Sequence, residues 1–234
     1  GGFAKIDSHE IGLYETRWSL DIGVGDLNND GWSDLYIAND FGPDSLYINE
    51  QNNHFKKLQG KLVGSLGKDT YKGMNASIND FDNNGYLDIY ISNVHEALQA
   101  EGSLLWMNNG TSTVLTASDF TDEAVHRNVL NEQRVGWGAA VADIDLDGLL
   151  EIVQAKGMGD DSYDKKQDVC EDFWYWNANI ALTGPDVHGY ADRWADLRGR
   201  CIFPDEKNRV YLNRGDYFVD VASRVGLDKS GNSR

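Results

Sequence analysis

The sequence is short of proline, cysteine and positive charge: 3 prolines, 2 cysteines, and 21 lysines and arginines against 38 aspartates and glutamates in 234 residues. The formal charge of -17 excludes nucleic acid as a partner, because phosphate binding needs a basic face. Two cysteines cannot form a disulfide-dense scaffold or a four-thiolate zinc site. No apolar run approaches the ~18 residues of a membrane span, and the opening Gly1-Gly-Phe-Ala-Lys5 has no leader pattern, so the segment as it stands is expected to be soluble. Residues of hydrophobic type make up 41% of the chain, enough to bury a sizeable core in one large domain or two small ones.

Acidic residues are abundant, and they are not spread evenly. Asp26-Leu-Asn-Asn-Asp-Gly-Trp-Ser-Asp34 returns as Asp80-Phe-Asp-Asn-Asn-Gly-Tyr-Leu-Asp88 and as Asp143-Ile-Asp-Leu-Asp-Gly-Leu-Leu-Glu151. Each has side-chain oxygens at positions 1, 3 and 5, glycine at 6 and a carboxylate at 9. Asp, Asn and Gly also make ordinary turns, but three copies of one nine-residue pattern are poorly explained by turn chemistry alone. Calcium takes 6 to 8 oxygens at about 2.3–2.6 Å, and alternate residues of a tight loop can aim oxygens at one centre. Magnesium keeps more of its water and fits less well. Ten of the 38 acids lie in these loops, and three divalent ions would bring the charge from -17 to -11.

An EF-hand requires glutamate at loop position 12 and a helix on each side. Position 12 here is Ile37, Ile91 and Gln154, and the flanks Ser19-Leu-Asp-Ile-Gly-Val-Gly25, Asp34-Leu-Tyr-Ile-Ala38 and Asp88-Ile-Tyr-Ile-Ser92 read as strands. A cation loop inside a β-hairpin is expected. The loops start 54 and 63 residues apart, room for a four-stranded unit with variable connections. Other parts of the unit recur as well. A third strand is expected at Asp44-Ser-Leu-Tyr-Ile-Asn-Glu50, Gly102-Ser-Leu-Leu-Trp-Met-Asn108 and Asn208-Arg-Val-Tyr-Leu-Asn213, and a short closing strand at His54-Phe-Lys-Lys-Leu58, Asp119-Phe-Thr-Asp-Glu123 and Tyr217-Phe-Val-Asp-Val221.

These residues resemble the FG-GAP or VCBS repeats of integrin-alpha-like β-propellers, and Gly23 to Asn49 and Asn75 to Asn93 look most like the secreted branch related to cartilage acidic protein. The resemblance implies an all-β fold, a partial propeller of about three four-stranded blades with calcium in each matching hairpin. It carries side-chain ligands onto Asp26, Asn28, Asp30 and Asp34, onto Asp80, Asp82, Asn84 and Asp88, and onto Asp143, Asp145, Asp147 and Glu151. Trp32, Tyr86 and Leu149 would supply backbone oxygens. Glu151 departs from the usual Asp by one methylene. One β-propeller domain is expected over 1–234: the end of a preceding blade at 1–13, blades at 14–66, 67–130 and 131–227, and the start of another at 228–234. Such a chain would be a piece of a propeller completed by missing chain or another subunit.

The third unit carries a stretch without a counterpart, 156–207, with both cysteines and the aromatics Trp174, Trp176 and Trp194. Cys170 and Cys201 bracket an irregular segment, which suggests a disulfide and an oxidising compartment; two buried free thiols are the alternative. The tryptophans are either a small satellite core or a partner surface. The functional expectation is an extracellular or secreted module (periplasmic or at the cell surface in a bacterium) for protein interaction, adhesion or assembly, with about three structural Ca²⁺ and a protein or glycan partner. A carbohydrate-binding module or a polysaccharide-lyase-like enzyme on the same fold is the alternative. No catalytic residue stands out, since the five histidines are scattered and form no triad.

Overall fold

The computed structural model describes residues 2–15, 17–51, 54–68, 73–94, 102–110, 113–131, 135–156, 163–164, 169–170 and 207–228. Three four-stranded antiparallel sheets dominate it. The first holds β1 (Trp18–Gly25), β2 (Asp34–Phe41), β3 (Ser45–Asn49) and β4 (Phe55–Leu58) in sequence order. The second repeats that order with β5 (Asn75–Asn79), β6 (Asp88–Ser92), β7 (Leu104–Asn108) and β8 (Phe120–Asp122). The third runs β9 (Gly136–Ala142), β10 (Glu151–Lys156), β13 (Arg209–Asn213) and β14 (Phe218–Asp220), and between its second and third strands lies the short pair β11 (Tyr163–Asp164) and β12 (Val169–Cys170). The strands expected from the repeat are therefore present in each unit. Among the described residues no helix is long and apolar enough to cross a membrane.

The sheets sit side by side in the manner of propeller blades, with β1 against β5 and β5 against β9. The middle sheet is covered on both faces, and its β6 and β7 are buried at every position. Its two faces serve two cores. Ile89, Ile91, Leu104 and Trp106 meet Tyr36, Ala38 and Leu46 of the first sheet, whereas Tyr90, Leu105 and Met107 meet Ile152, Tyr211 and Phe218 of the third. This is why their strands lack polar alternation: a strand buried on both faces has no solvent side to mark. Gly23 and Gly25 of β1 let the sheets close up, since a Cβ there would come within 2.9 Å and 2.7 Å of Ile78. On the opposite face of β1, Leu20, Ile22 and Val24 are exposed.

Where the sequence suggests the close of a preceding blade, Ser8–Ile11 forms a 3-10 turn capped by Asp7, whose Oδ1 accepts from His9 N–H at 2.9 Å. Asp122 and Asp220 cap the turns after β8 and β14 in the same way, accepting from Ala124 and Ala222 N–H at 3.0 Å each. Cys201, Trp174, Trp176 and Trp194 lie outside the described residues, as does the side chain of Cys170, so the expected Cys170–Cys201 bond and aromatic surface lie outside them too.

Candidate metal centres

All three acidic loops connect the first two strands of their sheets: loop 1 joins β1 to β2, loop 2 joins β5 to β6, and loop 3 joins β9 to β10. Their internal wiring is the same. The position-1 aspartate accepts the N–H groups of positions 5 and 6: Asp26 from Asp30 and Gly31 at 3.0 and 2.8 Å, Asp80 from Asn84 and Gly85 at 3.1 and 2.9 Å, and Asp143 from Asp147 and Gly148 at 3.1 and 3.0 Å. Position 5 then accepts the N–H of position 7, at 2.9 Å for Asp30 and Trp32, 2.7 Å for Asn84 and Tyr86, and 2.9 Å for Asp147 and Leu149. Each loop is thus wound around its own side-chain oxygens.

The backbone conformation explains part of the sequence pattern. Position 6 is left-handed in each loop, with φ of 89° at Gly31, Gly85 and Gly148, where a side chain would be strained. Position 4 is left-handed as well, at Asn29 (55°), Asn83 (58°) and Leu146 (61°). Asparagine tolerates that region and a branched side chain does not. Leu146 is also 85% exposed, so it gains little from packing. Leu146→Asn is expected to raise stability by about 1 kcal/mol, the scale of a relieved left-handed strain; a urea midpoint unchanged or lowered would contradict this.

Position 9 lies deep in each loop, and Asp34, Asp88 and Glu151 are all fully buried. Both oxygens of each accept backbone N–H groups. Asp34 takes Leu27 and Asn49 at 2.9 and 2.8 Å, Asp88 takes Phe81 and Asn108 at 2.8 and 2.7 Å, and Glu151 takes Ile144 and Asn213 at 2.7 and 3.4 Å. The longer side chain of Glu151 therefore occupies the same anchor as the aspartates. Burial pushes Asp34 up to about 6 and Asp88 up to about 7, against the opposing pull of those N–H groups, and the neighbouring loop acids raise both further. Asp82 is also raised, mainly by burial.

A group whose folded pKa lies above its unfolded value binds its proton more readily in the fold, so its contribution to stability grows as pH falls through that range. In chelator, the urea midpoint should rise as pH is lowered from about 7 towards about 5. It should fall again near pH 4 and below, where the paired Asp220, held low by Arg209 against the effect of its burial, loses its charge. A midpoint that falls steadily from pH 7 would contradict the first half.

Two of the loops bring three acids together. Carboxylate oxygens of Asp80, Asp82 and Asp88 lie within 4.8 Å of one another, as do those of Asp143, Asp145 and Glu151. Two oxygens bound to one calcium at about 2.3–2.6 Å can be at most about 4.6–5.2 Å apart, so this spacing and the all-oxygen donor set fit a hard divalent cation. In loop 1 the third position is the amide Asn28, which donates to Asp30 at 3.1 Å and to the Thr113 carbonyl at 3.0 Å. Arginines approach the other two: Arg127 Nη2 is 3.9 Å from Asp82, and Arg214 Nη1 is 3.4 Å from Asp147 and 3.8 Å from Asp145.

The asparagines that end β3, β7 and β13 were visible in the sequence as part of a strand, without a role. Their amides turn out to join neighbouring sheets. Asn108 Nδ2 donates to the Leu27 carbonyl of loop 1 at 2.9 Å, and Asn213 Nδ2 to the Phe81 carbonyl of loop 2 at 2.9 Å. A second stitch lies at the surface, from Asn29 to the Gly85 carbonyl at 3.0 Å and from Asn83 to the Gly148 carbonyl at 2.9 Å. In the first sheet, among the described residues, Asn49 Nδ2 reaches its own loop, at the Ser33 carbonyl 3.2 Å away.

The comparison with curated proteins gave no match. Residues 1–91, which take in the whole first sheet and both loops 1 and 2, match the FG-GAP-like repeat, and this match supports the FG-GAP repeat reading for that part of the chain.

Proposed function

We propose that the chain is a calcium-binding, integrin-alpha-like β-propeller module that works by binding, in protein interaction, adhesion or assembly outside the cell, with calcium in a structural role. The observation that carries this reading is the identical wiring of three acidic loops, each with a buried position-9 carboxylate inside a blade hairpin. Asp26, Asn28, Asp30, Asp34 and the Trp32 carbonyl would hold one ion. Asp80, Asp82, Asn84, Asp88 and the Tyr86 carbonyl would hold a second, and Asp143, Asp145, Asp147, Glu151 and the Leu149 carbonyl a third. The ions would neutralise loops that otherwise repel themselves, and so fix the hairpins. Further blades, from the same polypeptide or another subunit, would complete the propeller and cover the exposed Leu20, Ile22 and Val24. The resemblance of Gly23 to Asn49 and Asn75 to Asn93 to the cartilage acidic protein-like secreted branch supports an extracellular setting.

The 156–207 insertion is the proposed partner surface, because it occurs once whereas the loops are chemically interchangeable. Incubation with a panel of acidic and neutral polysaccharides distinguishes the binding module from a lyase. No release of unsaturated ends is expected, with or without calcium; calcium-dependent release would overturn the binding-module reading.

A further inference from the structure

One buried hydrogen-bonded path runs through all three loops. Asp34 Oδ2 accepts the Leu27 N–H at 2.9 Å, and the Leu27 carbonyl accepts Asn108 Nδ2 at 2.9 Å. The Asn108 N–H donates to Asp88 Oδ1 at 2.7 Å, and Asp88 Oδ2 accepts the Phe81 N–H at 2.8 Å. The Phe81 carbonyl accepts Asn213 Nδ2 at 2.9 Å, and the Asn213 N–H reaches Glu151 Oε1 at 3.4 Å. Asp34, Leu27, Asn108, Asp88, Phe81, Asn213 and Glu151 have no exposed surface at all.

We propose that Asn108 and Asn213 are positioning residues that couple the loops, so that a cation in one raises the affinity of its neighbour. The inference rests on the calcium reading and concerns how the sites act on one another. Each asparagine uses its side chain on the preceding loop and its backbone N–H on the position-9 carboxylate of its own loop. An ion that orders loop 1 fixes the Leu27 carbonyl, hence the Asn108 amide, hence the N–H that orients Asp88. The ordering that loop 2 requires is then partly complete before its own ion arrives, and ordering shared between two sites appears as positive cooperativity. By linkage the effect is reciprocal. Direct repulsion between two bound ions acts in the opposite sense and is weakened by salt.

The loops differ at position 7 in a way that makes one site separately visible. Trp32 in loop 1 can sensitise bound terbium, used in place of calcium; Tyr86 in loop 2 does so under different excitation, and Leu149 in loop 3 does not. The emission that Trp32→Leu removes therefore reports loop 1. The experiment measures the terbium affinity of loop 1 in the wild-type chain, in Asp80→Asn, in Asn108→Ala and in the double variant, with Asn108→Ser replacing the alanine variant should that one not fold. Crippling loop 2 through Asp80→Asn is expected to weaken loop 1 by about fivefold or more, the lower end of ordinary coupling between sites. On the Asn108 variant background the same Asp80→Asn change should have no further effect, which separates the buried path from the surface stitch through Asn29. A loop 1 affinity that ignores Asp80→Asn, or one weakened equally with and without Asn108, overturns the coupling alone. Absence of any bound terbium or calcium in the wild-type chain overturns the calcium reading and the coupling with it.

Discussion

Excess EDTA is expected to lower the melting temperature by tens of degrees. If the sites bind calcium in the micromolar range, millimolar calcium stands about 1,000-fold above Kd, and each occupied site then stabilises the fold by about 4 kcal/mol, provided the unfolded chain does not bind. For a chain of this size about 1 kcal/mol corresponds to about 2–4 °C, so a single site accounts for about 8–16 °C. The structural reason for so large an effect is that the acids are held at fixed, short separations. Asp80, Asp82 and Asp88 cannot spread apart without breaking the N–H contacts that wind the loop. Scanning calorimetry in calcium and in EDTA measures the difference; coincident curves would contradict a structural role for the ions.

The second large effect is expected at Asp88. Replacing it with alanine removes a ligand and also leaves the Phe81 and Asn108 N–H groups without their acceptor in a fully buried setting. An orphaned buried donor costs about 1–3 kcal/mol, so the pair costs about 2–6 kcal/mol beyond the lost calcium stabilisation. Removing a buried charge offsets part of this in the metal-free chain and none of it when calcium is bound. Asp82 provides the contrast: it is only half-buried, and the Asn84 N–H that it accepts at 3.2 Å is also accepted by Asp80 at 3.1 Å, so its alanine variant should lose little beyond the calcium-dependent part. In saturating calcium the urea midpoint of Asp88→Ala should therefore lie well below that of Asp82→Ala. Equal midpoints would show that position 9 is only a ligand and not also the anchor of its hairpin.

The parts of this molecule that were legible in the sequence are those whose chemistry is local. The spacing of Asp80, Asp82, Asn84 and Asp88 could be read because one nine-residue turn contains all of it. The hairpins around it could be read because Asp88-Ile-Tyr-Ile-Ser92 and its counterparts are β-branched and aromatic. The paired strands Leu104–Asn108 and Phe120–Asp122 followed from the recurrence of the same pattern.

What was not legible depends on contacts between distant residues. Asn108 meets Leu27 across 81 positions, and Asn213 meets Phe81 across 132; nothing in either asparagine's own neighbourhood announces a partner in another sheet. The signal that could have found them is their recurrence at the end of every third strand, as Asn49, Asn108 and Asn213. The left-handed position 4 was hidden for a different reason. Asn29 and Asn83 suit it and Leu146 does not, so the third copy breaks the pattern that the first two would have set. Arg127 and Arg214 come from turns outside the loops they approach, and only the fold brings them to Asp82 and Asp147.

The central claim is that these three loops hold calcium. Anomalous difference density from crystals grown in calcium tests it most directly, because it places each ion without assuming a binding model. The account predicts three peaks, one within ligand distance of Asp26, Asp30 and Asp34, one among Asp80, Asp82 and Asp88, and one among Asp143, Asp145 and Glu151. A map with no peak in any of the three loops would contradict it.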